Sequence, residues 1–127
     1  MRKLITTIAA VLLLAGCASF STTAFRLEKT AADAGTASVH SFNLYYNISS
    51  NSSSPAELED LDKKREAVYD ASRKLSASLS VLEAARAQYD LNAADTNRTA
   101  VQLALEAVSS QSSNITWLVK YFMGPSK

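Results

Sequence analysis

Apolar residues recur at every seventh position through most of the chain. Leu61, Val68, Leu75, Leu82 and Tyr89 form one unbroken row, with Leu58, Ser72 and Leu79 on the row beside it and Ala71, Ser78 and Ala85 alongside. Seven residues are nearly two turns of a 3.6-residue helix, so such a row stays on one face and makes a coiled-coil or bundle seam. The spacing predicts a helix over 55–90. Arg65 and Arg86 fall at the edge of that seam, where their aliphatic stems would snorkel outward. Val101, Val108, Ile115 and Phe122 repeat the interval, with Leu105 and Val119 on the adjacent row and Leu118 at its flank, and predict a helix over 96–123. Phe25, Ala32, Val39 and Tyr46, widened by Leu27, Ala31, Ala34 and Phe42, predict a helix over 25–48. Gly35 is a weak point in it, costing about 1 kcal/mol relative to Ala.

Two polar joints separate these rows. Ser49 to Pro55 is a Ser/Asn loop that ends in a helix start: Ser54 can cap, Pro55 suits the first helical position, and Glu57 stands three residues after the cap. Glu57, Glu59, Asp60 and Asp62 crowd the first turns, where the helix dipole favours anions. Asn92 to Asn97 is a tight joint of the kind that makes flanking helices antiparallel neighbours. Ser109, Ser110, Ser112 and Ser113 weaken the centre of the last row, because hydroxyls compete for backbone hydrogen bonds, and whether the helix breaks there, with Asn114 re-capping a short final helix, is left open by the sequence. Gly124-Pro125 stops the helix. The whole predicts an all-α, up-down-up three-helix bundle with coiled-coil-like heptad seams over residues 25–123. Ala and Ser beside the large apolar positions bury little area each, so the core is modest and self-association through a heptad face is expected as one outcome.

Composition narrows the function. The chain has 127 residues, room for one ordinary domain. Its 13 basic and 12 acidic residues leave no electrostatic footprint for nucleic acid. One Cys and one His cannot build a disulfide or a structural zinc site. His40, between Val39 and Ser41, reads as a surface residue, and the acidic run at Glu57–Asp62 lacks the alternating Asp loop and Gly of an EF-hand. No phosphate-binding Gly-rich loop and no Gly-x-Ser-x-Gly elbow is present. The chain is therefore expected to be no enzyme, with no cofactor, no metal and no small-molecule substrate. Four glycosylation sequons, beginning at Asn47, Asn51, Asn97 and Asn114, are read as coincidences of a Ser/Thr-rich bacterial chain.

The amino terminus carries an address. Arg2 and Lys3 precede an apolar run from Leu4 to Leu14, and Ala15 and Gly16 precede Cys17. Charge, apolar run and small residues in that order make a secretory signal, and the run is too short to cross about 30 Å of hydrocarbon. Leu14-Ala15-Gly16-Cys17 resembles the lipobox of bacterial lipoproteins. The resemblance implies cleavage between Gly16 and Cys17, a diacylglycerol on the Cys17 thiol and an acylated new amino terminus. It also implies an outer-membrane location, because Ala18 rather than Asp follows the cysteine; in a host with one membrane, the location would be that membrane's outer face. Several acyl chains at about 0.8 kcal/mol per buried CH₂ make a stable anchor. Loss of Arg2 and Lys3 takes 13 basic residues to 11 against 12 acidic ones, a formal charge of −1, so the lipid would do the anchoring. Residues 17–24, rich in Ser and Thr, read as a lipidated tether.

This layout predicts where a partner would dock. With Cys17 at the membrane, the end of the first helix is distal, and so is the end of the third. Phe42, Tyr45, Tyr46, Trp117, Tyr121 and Phe122 should gather at that far tip. Clustered rings are common both in cores and at binding hot spots, and Tyr45, Tyr46, Trp117, Tyr121 and Phe122 are the candidate partner-binding residues. The expected role is a lipid-anchored helical envelope protein that tethers or presents an interaction surface. Two other roles stay open: an accessory or inhibitor subunit docking an envelope complex through the distal rings, and a structural coiled-coil oligomer. The short signal, small size and Ala-rich helices are also similar to small lipoproteins of prophages and phages, which would imply a part in host lysis or in excluding other phages.

Overall fold

The computed structural model describes residues 17–124, with side chains from Phe20 onward. Three helices account for nearly all of it: α1 (Cys17–Ser50), α2 (Pro55–Leu91) and α3 (Asp95–Met123). With 34, 37 and 29 residues, they are roughly 51, 55 and 43 Å long at 1.5 Å per residue. Each packs on the other two, as an up-down-up bundle requires. Phe20 of α1 lies beside Arg98 of α3, and Phe42 beside Phe122, so α1 and α3 run parallel with α2 antiparallel to both.

The joints follow local chemistry. Ser54 caps α2, its hydroxyl accepting from the Glu57 amide at 3.3 Å and lying 2.9 Å from Glu57 Oε1, and Pro55 opens the helix. The Asn92 amide closes α2 by donating to Gln88 O at 2.9 Å. The Asn97 side chain then donates to Asn92 O at 2.7 Å and ties the start of α3 to the joint. Gly124, at φ 78°, ends α3 in a conformation that disfavours any side chain.

The core is the predicted rows of α2 and α3. Leu61, Val68, Leu75, Leu82 and Tyr89 are all buried, as are Val101, Leu105, Val108, Ile115 and Val119. Tyr89 meets Phe20 edge-on with ring centroids 4.7 Å apart, which closes the core at the end near Cys17.

The first helix departs from expectation in three ways. It is already helical at Cys17, and Phe20 and Ala24 are fully buried, so residues 20–24 are turns of a packed helix where a tether was expected. Of the expected face, Ala31 and Phe42 are buried and Leu27, Val39 and Tyr46 pack against the core, but Phe25 is 52% exposed, and the centre of the buried row is shifted to Ala24, Ala31, Gly35 and Phe42. Ala24, Ala31 and Gly35 let the middle of α1 approach α2 and α3 closely, while Phe20 and Phe42 fill the two ends. Gly35 is accordingly a packing position: a Cβ there would collide with Leu75 Cδ2 of α2 and touch Ile115 Cδ1 of α3. The question left open for α3 is answered by a helix that is continuous through Ser109–Asn114. Ser112, which is buried, donates to Ala31 O of α1 at 2.9 Å. Thr116 Oγ1 donates to Ser112 O at 3.0 Å and lies 3.2 Å from Ser38 Oγ. Hydroxyls that find partners on a neighbouring helix need not unwind their own.

Candidate functional surface

The predicted aromatic residues do come together at the end opposite Cys17. Phe42 has its ring centroid 6.0 Å from that of Tyr45, 6.5 Å from Tyr46 and 6.3 Å from Phe122. Tyr121 lies 6.0 Å from Phe122 and 5.3 Å from Trp117, the last two rings stacked at 10°.

The group divides by what its rings touch. Phe42 is fully buried, and Tyr45, Tyr46 and Phe122 are half-buried against it. The first turns of α2 then fasten them. The Tyr46 hydroxyl donates to Asp62 at 2.5 Å, Arg65 lies 5.0 Å from the Tyr46 ring, and Lys64 lies 5.9 Å from the Phe122 ring. Hydrogen bonding to Tyr46 and attraction to Tyr69 push the Arg65 pKa above its ordinary value. These rings cap the bundle. Trp117 and Tyr121 are different: they are 59% and 68% exposed and point away from the core.

Behind Trp117 a shallow furrow of about 410 Å³ runs between α1 and α3. Leu27, Thr30 and Ala34 line one wall, and Ser113, Trp117 and Lys120 the other. Leu44 and Ile48 of α1 and Leu103 of α3 are also largely exposed on the outer sides of these helices. No Asp, Glu, Lys or Arg occurs between Ala34 and Ala56, nor between Ala107 and Val119. The outer surface shared by α1 and α3 is thus poor in charge and carries large apolar side chains, a combination that marks interaction surfaces.

The acidic run at the start of α2 is occupied by its own neighbours. Glu59 pairs with Lys63 at 3.2 Å, Asp60 with Lys64 at 3.1 Å, and Asp62 accepts from Tyr46. Among the described residues no group of three or more His, Cys, Asp or Glu could hold a metal ion. His40 is exposed on α1.

One polar feature escaped the sequence pattern. Glu28 sits in the buried stretch of α1 and meets Arg86 of α2 at 2.6 Å, with side chains only 13% and 18% exposed. Arg86 also stacks over Phe25, 5.1 Å from the ring centroid. The expected snorkelling arginine is an inter-helix ion pair. Its signal in the chain was two opposite charges, each at the edge of an apolar row, but nothing in the spacing joined them.

Residues 1–16, read above as a leader, lie outside the described residues, as do the side chains of Cys17, Ala18 and Ser19. The predicted cleavage at Gly16–Cys17 and lipidation of Cys17 therefore rest on the sequence. No helix among the described residues is long and apolar enough to cross a membrane. No protein-family model, curated protein or solved structure matches this chain.

Proposed function

We propose that this protein is a non-enzymatic, lipid-anchored helical bundle of the bacterial envelope, most simply of the outer membrane, that holds a protein partner on the outer surface of α1 and α3. The observation that carries the binding half is the stacked Trp117–Tyr121 pair, exposed on a surface almost free of charge. Solvated rings of this size have more apolar area than a helix surface needs, and Trp and Tyr are the residues most enriched at binding hot spots. The anchoring half is supported by the Leu14-Ala15-Gly16-Cys17 sequence and by the short apolar run before it. A helix that starts at Cys17 would couple an acyl anchor directly to the bundle, with no slack to decouple the motion of the two.

Tyr45, Tyr46 and Phe122 belong to the bundle cap on this reading, and Trp117 and Tyr121 are the contact residues. Labelled-palmitate incorporation in the bacterial host tests the anchor. The wild-type chain is expected to take up label and to sediment with membranes, and Cys17→Ser to lose both. Labelling that persists in Cys17→Ser overturns the anchor assignment. For the cap, Tyr46→Ala is expected to lower stability while Trp117→Ala leaves it unchanged. Unfolding by Trp117→Ala would remove the contact reading.

A further inference from the structure

The outer ridge of α3 has a second seam that nothing within the bundle uses. Leu103, Ala107, Ser110, Asn114, Trp117 and Tyr121 follow one another at intervals of four and three residues, which places them in a single line along the helix. The core row of α3 lies on the other side, at Val101, Leu105, Val108 and Ile115. Leu103, Trp117 and Tyr121 are each about 60% exposed or more, Ala107 and Asn114 are exposed, and Ser110 is half-buried. Such a line on a monomer's surface has the pattern of a helix–helix interface and lacks the second helix.

Charge complementarity identifies that helix. From Ala100 to Met123, α3 has two charged residues, Glu106 and Lys120, set fourteen positions apart and both on the same flank of the seam. Neither has an ion-pair partner among the described residues. Let a second α3 lie antiparallel along the first. The seam then matches itself about its centre. Leu103 faces Tyr121 of the second copy, Ala107 faces Trp117, and Ser110 faces Asn114. Each large ring meets an aliphatic or small residue, and the two polar residues meet each other. In the same register, Glu106 of each copy falls beside Lys120 of the other, so two ion pairs form by symmetry. A parallel pair would instead set Trp117 against Trp117 and leave Glu106 and Lys120 unmatched.

We infer that this chain forms an antiparallel two-fold homodimer through the outer ridge of α3. The inference rests on the reading of the α1/α3 surface as a binding surface and names its partner as a second copy. Because α1 and α3 run parallel, the antiparallel pair sets the two Cys17 residues at opposite ends of the dimer, so acylated copies would pair lying along the membrane and not upright on it; palmitate labelling tests the anchor separately.

The test is sedimentation of the full chain in detergent over a range from about 1 to about 100 µM, where a helix-pair interface of this size should titrate. Three variants accompany it: Glu106→Lys, Lys120→Glu and Trp117→Ala. None of these residues is buried, so circular dichroism should show the wild-type helix content in all three. The wild-type chain is expected to dimerise. Each charge reversal turns two attractions into two repulsions and should weaken the pair by about tenfold. Trp117→Ala should weaken it by about tenfold or more, since it empties the two layers in which Trp117 faces Ala107 of the other copy. An equimolar mixture of Glu106→Lys and Lys120→Glu should recover wild-type association, because each copy then supplies what the other lacks. A wild-type chain that stays monomeric overturns the proposal. So does an assembly indifferent to the charge reversals, or a mixture that fails to recover, since either places the contact elsewhere or in the parallel register.

Discussion

On the outer face of α2, Lys63 reaches Glu59, Lys64 reaches Asp60, and Asp70 holds both Arg73 and Lys74. On the outer faces of α1 and α3 there is no comparable network among the described residues, and large apolar side chains stand exposed there, among them Leu44, Ile48, Leu103, Trp117 and Tyr121. Fourteen of the charged residues belong to α2, against four each in α1 and α3. The inner faces differ as well. The α2 seam is Leu and Val, filled by volume, whereas α1 meets α3 through Ala31, Ser38, Ser112 and Thr116 and is joined by hydroxyls. A solvated helix needs charge outside and bulk inside. A helix pair that has little of either is held by close approach, and has an outer surface free to bind something else.

Substitutions can be ordered by how hard they press on this difference. Leu82→Ala removes a fully buried side chain from the α2 seam and should cost about 2–5 kcal/mol in denaturant unfolding. Gly35→Leu, on the side where α1 comes closest, should cost about 1–3 kcal/mol by overpacking against Leu75. If it were neutral, closeness would not be what holds α1. Arg86→Met leaves Glu28 mostly buried and unpaired; the full cost of such a break is about 3–5 kcal/mol, and partial exposure should bring it to about 2. The double variant Glu28→Leu with Arg86→Met should recover most of that loss, and a failure to recover would mean that the pair contributes more than its own charge satisfaction. Ser112→Ala removes one buried hydroxyl contact between α1 and α3 and should cost about 0.5–1.5 kcal/mol. Lys63→Ala, on the charged side, should change stability by no more than about 0.5 kcal/mol, and less in high salt, because its partner is solvated. A larger effect there would mean that the surface network of α2 is structural.

Legibility tracked side-chain size. The rows of α2 and α3 were evident because Leu, Val, Ile and Tyr can be buried in one way only, on a common face. The cap at Ser54 and the stop at Gly124 were equally plain, since each is a property of the local backbone. In α1 the pattern was right for Ala31, Val39, Phe42 and Tyr46 and wrong for Phe25. Ala, Ser, Thr and Gly are tolerated on any face, so the spacing left the exact rotation of the helix loose, and the Phe25 end turned outward. The serines of α3 suggested a break for the same reason: a hydroxyl's cost depends on whether a partner exists, and Ala31 O is eighty-one residues away in the chain. The gathering of the distal rings followed from topology once three helices were assumed, but which rings were buried and which exposed did not.

Periodicity along the chain determined that the described residues form three helices, where they turn, and which face of α2 and of α3 lies inside. These are short-range consequences of hydrogen bonding, capping and apolar spacing, and each can be read within a few turns. Only the packed bundle decided the rotation of α1, the pairing of Glu28 with Arg86, the use of the α3 hydroxyls and the exposure of the outer α3 ridge. Each of those depends on the distance between helices, which small side chains leave open until all three helices have met.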